Sequence, residues 1–255
     1  MKLTIAYFYP DLLNLYGDRG NIEILSERAK QRDIEVEVLE IYTQTQLNSE
    51  DVKKINITFI GGGPDNSQKQ MYDDLVQNKG NYLKDYIESG GVGLYVCGSY
   101  QLLGHYYKAS DGTVLKGLGA FDLYTQHFGN KKPRCIGNVV CEINSKLLND
   151  DVFKSVNKIG NTLVGFENHG GRTYLNNNTP PLANVIMGHG NNSEDDTEGM
   201  FYKNSIGTYL HGPILSRNPH LADYLIAKSL QMDTLKELDD SLIIAAHTAS
   251  KNLKQ

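Results

Sequence analysis

Short apolar runs alternate with segments of helical periodicity over the first hundred residues, and this alternation predicts the architecture. Residues 3–8 form an apolar run, and apolar positions then recur at helical spacing over 22–31. Residues 34–41 alternate between apolar and acidic positions, which is typical of a strand with one face near solvent. Strand, helix and strand in this order predict a βαβ unit, and therefore a sheet that begins parallel. The pattern continues with a strand at 55–60, a helical stretch over 68–89 that breaks at 78–81, and a strand at 92–96.

The rest of the chain continues the mixture of strands and helices. Strands are predicted at 163–166, 183–187 and 206–210, helices at 221–232 and 235–246, and a frayed tail over 250–255. No internal repeat or linker divides the sequence, so we expect residues 1–255 to form one domain with its core in 1–249. The predicted fold class is a single α/β domain with a mixed, mostly parallel sheet flanked by helices.

Composition narrows the class of protein. The chain has 255 residues, 40% of them hydrophobic, and a net charge of −5, which disfavours a nucleic-acid binder or a polybasic membrane anchor. No run approaches the ~20 apolar residues that a membrane span requires. The three cysteines, at 97, 135 and 141, show no CxxC spacing and cannot all pair, which favours a reducing compartment. We therefore expect a soluble, cytoplasmic protein.

The stretch from Gly90 to Gly104 predicts a nucleophilic cysteine. Cys97 directly follows the apolar strand at 92–96, and small residues and a helical segment follow Cys97. Strand, nucleophile, small residues and helix make the plan of a nucleophile elbow, a sharp turn that lifts one side chain above a sheet edge. A thiol at a helix N-terminus is activated by the positive end of the helix dipole. The alternative interpretation is a buried cysteine that ends a core strand.

The three glycines at 61–63 follow the strand at 55–60 and invite comparison with phosphate-binding loops. A P-loop ends in G-K-[ST], whereas the residues here are Gly63, Pro64 and Asp65, so phosphate binding is disfavoured. Successive glycines instead allow backbone N–H groups to approach a substrate closely. A plain tight turn is the alternative.

A catalytic base for Cys97 is expected at the end of a neighbouring strand, where a turn exposes it. Of the seven histidines, His211 alone closes an apolar strand and is followed by Gly-Pro. Glu167 and His169 follow another strand, but no third ligand lies at a recognisable spacing, so we expect no metal site. His169 is better explained as a pocket wall than as a catalyst.

The residues around Cys97 resemble the nucleophile motif G-x-C-x-G-x-Q of the class I glutamine amidotransferases. Cys97 and Gln101 match its cysteine and glutamine, whereas Tyr95 and Ser99 replace its two glycines. Five segments occur in the order found in the cobyric-acid-synthase-like branch of this family: YGDRGN, GGGPDN, CGSYQLLG, GFENHGGRT and GTYLHGP. Within that branch, the chain is most similar to the small glutaminase subunits of lipid II isoglutaminyl synthases.

The resemblance implies a role for each matching residue. Cys97 and His211 would be the catalytic pair, and the oxyanion hole would use the N–H of Gly62 or Gly63 together with that of Gly98. Arg134 would hold the α-carboxylate of glutamine, since a guanidinium can clamp a carboxylate bidentately. Substrate binding would also involve Gln101, Asn168 and His169.

The resemblance also implies the activity and its partners. The chain would hydrolyse L-glutamine to glutamate and ammonia, with no cofactor of its own. A Mur-ligase-like synthetase subunit would bind ATP and Mg²⁺, and would use the ammonia to amidate D-glutamate in the stem peptide of lipid II. The alternatives are the glutaminase component of another cobyric-acid-type amidotransferase, an inactive binding homologue, and a cysteine peptidase with a similar elbow.

The group that orients His211 is missing from its usual place. Class I enzymes carry a glutamate two residues after the histidine, and here that residue is Pro213. We expect either Glu167 or, preferably, an acidic residue of the partner subunit to replace it. The YGDRGN segment is interpreted as a helix entry capped by Asp18 or Asn21, although a supporting role of this segment near the site stays open.

Overall fold

The structure is a computed structural model that describes residues 1–176 and 179–253, apart from the side chain of Asp65. Its strands, numbered along the chain, are β1 (Lys2–Phe8), β2 (Glu35–Ile41), β3 (Ile57–Ile60), β4 (Val92–Val96), β5 (Tyr106–Lys108), β6 (Val114–Lys116), β7 (Leu123–His127), β8 (Cys135–Ile143), β9 (Thr162–His169), β10 (Gly171–Leu175), β11 (Ala183–Met187), β12 (Thr197–Glu198), β13 (Met200–Tyr202) and β14 (Ser205–Thr208). Its α-helices are α1 (Gly20–Lys30), α2 (Ser49–Lys54), α3 (Asp65–Asp74), α4 (Gly80–Glu88), α5 (Gly98–Leu102), α6 (Ser145–Leu148), α7 (Asp151–Val156), α8 (Pro219–Ser229) and α9 (Ser241–Lys251).

The central sheet has the strand order β13-β14-β4-β3-β1-β2. Its neighbouring strands pair in parallel, except that β13 and β14 are antiparallel, so the predicted mixed and mostly parallel sheet is confirmed. Every residue of β3 and β4 is buried, which means that both faces of the sheet are covered at its centre. α1 and α8 pack against each other; α8 also contacts β3 and β4, and α1 contacts β1 and β2. One cluster of buried apolar side chains extends from Leu3 to Leu235, in a single α/β domain.

Two smaller sheets lie beside the central one. Their strand orders are β10-β7-β5-β6 and β12-β11-β8-β9. An isolated antiparallel bridge connects β9 to the segment after β14, with Phe166 and His211 exchanging both backbone hydrogen bonds at 3.1 and 2.8 Å. This bridge fixes the position of His211, three residues after the end of β14, relative to the edge of the central sheet.

Most predicted elements are present, but the break expected at 78–81 in the 68–89 helix is wrong, because the backbone stays helical there. That stretch consists of α3, a π-helical turn at Leu75–Lys79, and α4. The predicted helix at 235–246 is wrong at its start, because α9 begins at Ser241. The carboxylate of Asp240 is bound by Arg28, and that of Asp239 accepts the N–H of Ser241, so both acidic side chains are engaged just before the first turn. α9 continues to Lys251, while residues 254 and 255 of the predicted tail lie outside the described residues.

No helix within the described ranges 1–176 and 179–253 is both long enough and apolar enough to cross a membrane.

A buried ion-pair network joins α1 to the C-terminal segment. Arg28 donates to both carboxylate oxygens of Asp223, at 2.7 and 2.8 Å, and to both oxygens of Asp240 at the same two distances. Arg32 adds a further bond to Asp223 at 2.7 Å. The Arg28 and Asp223 side chains are only 5% and 8% exposed, so solvent screens them little. Removing one partner would therefore leave a buried charge uncompensated.

We expect Asp223→Asn to lower the free energy of unfolding by about 3 kcal/mol, because two buried guanidinium groups lose their shared carboxylate. Urea denaturation at neutral pH measures the change. The control is Asp151→Asn, since Asp151 is 98% exposed and pairs with Lys154 on the surface, and it should alter stability by less than about 0.5 kcal/mol. Equal effects of the two variants would contradict a stabilising role of the network.

Candidate active site

Cys97 stands on the sharp turn between β4 and α5. Its backbone angles, φ 54° and ψ −109°, lie outside the helical and extended regions that flank it. The N–H of Cys97 donates to the carbonyl of Thr208 on β14 at 2.9 Å, and its carbonyl accepts the N–H of Gln101 at 3.0 Å. These bonds fix both sides of the turn, so the predicted elbow geometry is present. The thiol is free and lines a cavity.

The two departures from the amidotransferase motif have a packing explanation. The Tyr95 ring occupies the space in which a side chain at Gly93 would lie, and its hydroxyl bonds Thr58 Oγ1 at 2.7 Å. The hydroxyl of Ser99 donates to the carbonyl of Ile60 at 2.8 Å, linking α5 to the end of β3. Both side chains are buried and have hydrogen-bond partners, so neither disturbs the elbow.

His211 lies beside Cys97. A Cβ atom built on Gly62 would lie 2.9 Å from the Cβ of Cys97 and 3.1 Å from Cε1 of His211, so Gly62 fits between the two side chains. The backbone of His211 is held by the bridge to Phe166, and the ring of Tyr16 packs edge-on against its imidazole at 4.9 Å. The structure thus brings together the cysteine and the histidine that the sequence selected, over a separation of more than one hundred residues.

Asp18 orients the imidazole of His211. Its Oδ1 lies 3.0 Å from Nδ1 of His211, and its Oδ2 accepts the N–H of Gly62 at 2.7 Å. Both the aspartate and the histidine side chains are fully buried. The interpretation of Asp18 as a helix cap is wrong, because the residue before α1 is Arg19 and the carboxylate points to the site. Asp18 therefore binds Nδ1 of His211. The sequence had predicted Glu167 or an acidic residue of the partner subunit in this role.

Glu167 has a different set of partners. Its two carboxylate oxygens accept the N–H groups of His189 and Gly190, at 2.6 and 2.9 Å. It lies 3.5 Å from Nε2 of His169 rather than beside His211. Glu167 is therefore not the group that orients His211 in this structure.

Burial and hydrogen bonding oppose each other at His211. Burial lowers the pKa of its imidazole, but the hydrogen bond to Asp18 and the interaction with the Cys97 thiol outweigh burial and raise this pKa to about 10. The imidazole is therefore protonated at neutral pH. The imidazolium lies next to the thiol of Cys97, the pairing of groups that nucleophilic catalysis by cysteine uses.

The expected oxyanion donors are partly revised. The N–H of Gly62 is engaged by Asp18, which removes Gly62 from the expected pair of alternatives and leaves Gly63. Gly63 lines the same cavity as Cys97, and its carbonyl accepts a bond from Gln68 at 3.0 Å. Gly98 is the first residue of α5, a position whose N–H has no acceptor within its own helix. Gly63 and Gly98 thus remain the candidates for the two backbone donors.

Arg134 and Asn168 lie at the mouth of the cavity, which has a volume of about 530 Å³. Arg134 donates from Nε to Oδ1 of Asn168 and from Nη2 to its carbonyl, both at 3.0 Å. The amide of Asn168 in turn donates to the hydroxyl of Tyr16 at 2.6 Å. Among the described lining residues, Arg134 is the one side chain with a permanent charge. The outer edge of its guanidinium is held ready for an anionic group.

Gln101 and His169 form part of the cavity wall. The Gln101 amide donates to the hydroxyl of Tyr209 at 2.9 Å, and the His169 ring stacks on Tyr209 with centroids 3.6 Å apart. Burial lowers the pKa of His169, so its imidazole is neutral at pH 7. These contacts agree with the expected wall position of His169, and they place it apart from the Cys97–His211 pair.

Two features of the site escaped the sequence. Asp18 belongs to the YGDRGN segment, but its separation from His211 along the chain gave no indication that the two side chains meet. Cys135 lies opposite His169 on the paired strands β8 and β9, and the donor atoms of Cys135, Glu167 and His169 are within 4.8 Å of one another. Strand pairing, rather than spacing along the chain, brings these three side chains together.

Comparison with known proteins agrees with this geometry. Residues 4–219 match the family described as the CobB/CobQ-like glutamine amidotransferase domain. The chain is 44% identical over 249 residues to the lipid II isoglutaminyl synthase (glutamine-hydrolyzing) subunit GatD of Staphylococcus aureus, covering 96% of this chain and 93% of that protein. It is 39% identical over 232 residues to the protein of the same name from Streptococcus pneumoniae, covering 90% of this chain and 81% of that one.

Solved structures show the same fold at low sequence identity. The glutaminase domain of Trypanosoma brucei CTPS with bound acivicin superposes with a TM-score of 0.57 at 10% identity, over 92% of this chain and 98% of that one. PurLQS from Thermotoga maritima gives a TM-score of 0.56 at 13% identity, over 91% and 98% of the two chains. These findings confirm the resemblance found in the sequence: the chain belongs to the CobB/CobQ-like glutamine amidotransferase family.

Proposed function

We propose that this chain is the glutamine-hydrolysing subunit of a lipid II isoglutaminyl synthase. The observation that supports this most directly is the arrangement of Cys97, His211 and Asp18 at the base of a cavity whose mouth carries Arg134. A thiol, a protonated imidazole and a buried carboxylate form the set of groups needed for nucleophilic attack on an amide. The names of the two bacterial relatives supply the physiological setting.

In the first half of the reaction, Cys97 forms a thioester with glutamine. The thiolate attacks the side-chain carboxamide carbon, and the carbonyl oxygen becomes an oxyanion that the N–H groups of Gly63 and Gly98 stabilise. The His211 imidazolium then gives its proton to the departing nitrogen, the carbon–nitrogen bond breaks, and ammonia leaves. Asp18 stabilises the imidazolium before transfer and holds Nε2 toward the sulfur afterwards.

In the second half, water hydrolyses the thioester. His211, now neutral, takes a proton from water, whose oxygen attacks the thioester carbonyl at the same pair of backbone donors. The carbon–sulfur bond breaks, glutamate leaves, and the proton on His211 again pairs with the Cys97 thiolate. One glutamine and one water yield one glutamate and one ammonia.

Arg134 binds the α-carboxylate of glutamine. Its Nε and one N–H of Nη2 are occupied by Asn168, so the edge formed by Nη1 and Nη2 remains for a bidentate contact with a carboxylate. Arg134, Asn168 and Tyr16 form one hydrogen-bonded series, and the ring of Tyr16 packs edge-on against the imidazole of His211. These contacts connect the side chain that binds the substrate to the catalytic pair.

The ammonia is consumed by a second subunit. That subunit is Mur-ligase-like, binds ATP and Mg²⁺, and activates the α-carboxylate of D-glutamate in the lipid II stem peptide as an acyl phosphate. The complex works on the cytoplasmic side of the membrane. The test is to purify the two subunits together and supply lipid II, ATP and L-glutamine. Amidated lipid II, detected by mass spectrometry, is expected only when both subunits are present, and its absence from the complete mixture would contradict the proposal.

Replacing Cys97 should abolish hydrolysis. In the two-subunit complex, Cys97→Ala removes the nucleophile, and we expect the kcat for ammonia release from glutamine to fall by at least about 10⁴-fold. A coupled glutamate assay measures this rate, and circular dichroism checks the fold. The control is Cys141→Ala, another buried cysteine, located on β8 away from the cavity, which should change the rate only a few-fold. Near-normal hydrolysis by Cys97→Ala would exclude the thioester mechanism.

Arg134→Lys should raise the KM for glutamine about 10-fold or more, with a smaller change in kcat, because an ammonium cannot clamp a carboxylate bidentately. Steady-state glutaminase kinetics of the complex separate the two constants. Arg19→Lys is the matched control, since Arg19 is an exposed arginine that pairs with Glu23 on α1. If KM stays unchanged in Arg134→Lys, the arginine does not bind the substrate.

Asp18→Asn should lower the pKa of His211 from about 10 toward its ordinary value of 6.5, because the neutral amide no longer favours the imidazolium. The NMR titration of the His211 Cε1 proton follows this pKa directly. We also expect the alkaline limb of the glutaminase pH profile to move to lower pH and kcat to fall about 10²- to 10⁴-fold. The control is Asp11→Asn, because Asp11 is an exposed aspartate in the same connection between β1 and α1. An unmoved pKa and pH profile would transfer the orienting role to another group.

A further inference from the structure

Three buried side chains behind the cavity wall form a compact group of potential metal ligands. Cys135, Glu167 and His169 are at most 2% exposed, and their donor atoms all lie within 4.8 Å of one another. Residues two apart on a strand share a face, so Glu167 and His169 project to the same side of β9. The antiparallel register of β8 and β9 places Cys135 directly opposite His169. The pairing of two strands thus assembles one sulfur, one oxygen and one nitrogen donor.

The tautomer of His169 is determined by its hydrogen bond. Nδ1 lies 2.7 Å from the carbonyl oxygen of Gly171, which can only accept, so Nδ1 must carry the proton. In the neutral imidazole, Nε2 then presents a lone pair. Within the described part of the chain, Nε2 has no hydrogen-bond partner, although it is buried. An imidazole that donates Nδ1–H to a backbone carbonyl and leaves Nε2 free is arranged as metal-binding histidines are.

Glu167 places a second acceptor opposite that lone pair. Its Oε2 is 3.5 Å from Nε2 of His169. The carboxylate is held in place by the N–H groups of His189 and Gly190, so it cannot turn away without losing both bonds. One metal ion can bridge an oxygen and a nitrogen donor at this separation in a buried site.

The remaining contacts complete the surroundings of the group. Sγ of Cys135 lies 3.2 Å from Oγ of Ser193, in the loop that also carries the two N–H donors to Glu167. The guanidinium of Arg172 interacts with the Cys135 thiol, and its Nε and Nη1 atoms are buried with no acceptor in the described chain. These N–H groups can donate to a thiolate that is bound to a metal, as outer-shell donors do.

We propose that Cys135, Glu167 and His169 bind a zinc ion. Thiolate, carboxylate and imidazole are the ligand types that zinc uses, and two ligands about 2.0–2.1 Å from a tetrahedral ion lie about 3.4 Å apart, close to the separation of Nε2 and Oε2. The ion would lie between the nitrogen of His169 and the oxygen of Glu167. A thiolate and a carboxylate balance its double charge, and a water takes the fourth position.

The zinc ion has a structural role in this arrangement. It joins β8 to β9, and through Glu167 it supports the loop from His189 to Ser193. His169, Gly170 and Gly171 line the glutamine cavity, so the ion fixes the wall of the cavity from behind. This site is separate from Cys97 and His211, and it stands whether or not the chain hydrolyses glutamine.

Cobalt substitution tests the site with a readout independent of activity. The full chain carrying Cys97→Ser, which removes the catalytic thiol as a competing ligand, is titrated with Co²⁺. We expect one equivalent to bind with a thiolate-to-cobalt absorption band in the near ultraviolet, and Zn²⁺ to displace it. Adding Cys135→Ser should abolish the band, whereas the matched control Cys141→Ser should retain it. A missing band in the parent chain, or a band that survives Cys135→Ser, would overturn the proposal.

A second variant tests the site independently, so that the result does not depend on the folding of Cys135→Ser. Glu167→Gln keeps the size of the side chain and one acceptor for the loop, but it removes the negative charge. We expect it to weaken Zn²⁺ binding, measured by competition with a chromophoric chelator, by at least about 10-fold. Circular dichroism confirms that each variant is folded. Zinc affinity equal to that of the parent chain would contradict ligation by Glu167.

Discussion

The strained backbone at Cys97 is the constraint on which the site depends. Angles of φ 54° and ψ −109° cost of the order of 1–3 kcal/mol for a residue with a side chain, so the surrounding structure must hold them. It does so with bonds to Thr208 and Gln101 and with the complete burial of β4, whose neighbours β3 and β14 flank it on either side. The result is a thiol raised at the carboxyl edge of a parallel sheet, where the ends of several strands converge.

The buried carboxylate of Asp18 connects that edge into one unit. A buried charge is tolerated only when it is paired, and Asp18 divides its two oxygens between His211 and the N–H of Gly62. One group thereby orients the imidazole of His211 and holds the glycine loop against the elbow. In the proposed reaction, the N–H of Gly62 cannot also donate to an oxyanion, because Asp18 accepts it.

The strand pair β8–β9 supports the site from the opposite side. Its outer end carries Arg134 and Asn168 at the cavity mouth, while its inner face carries His169 against Tyr209 and the buried group with Cys135 and Glu167. The bridge between Phe166 and His211 ties this pair to the central sheet. Backbone hydrogen bonds thereby connect the cavity wall at His169 to His211 through β9.

The sequence by itself determined the parallel sheet, the elbow at Cys97 and the choice of His211, because apolar periodicity and turn residues are local signals that survive without knowledge of contacts. It also determined the family, through five segments in a fixed order. It misplaced the start of α9, where the bonds of Asp240 to the distant Arg28 prevail over local helical periodicity. Only the tertiary structure decided that Asp18, rather than Glu167, faces His211, and that Cys135 joins Glu167 and His169. Those partners lie 193 residues apart in one case and on two paired strands in the other, and their proximity is a property of strand order and register that no spacing along the chain records.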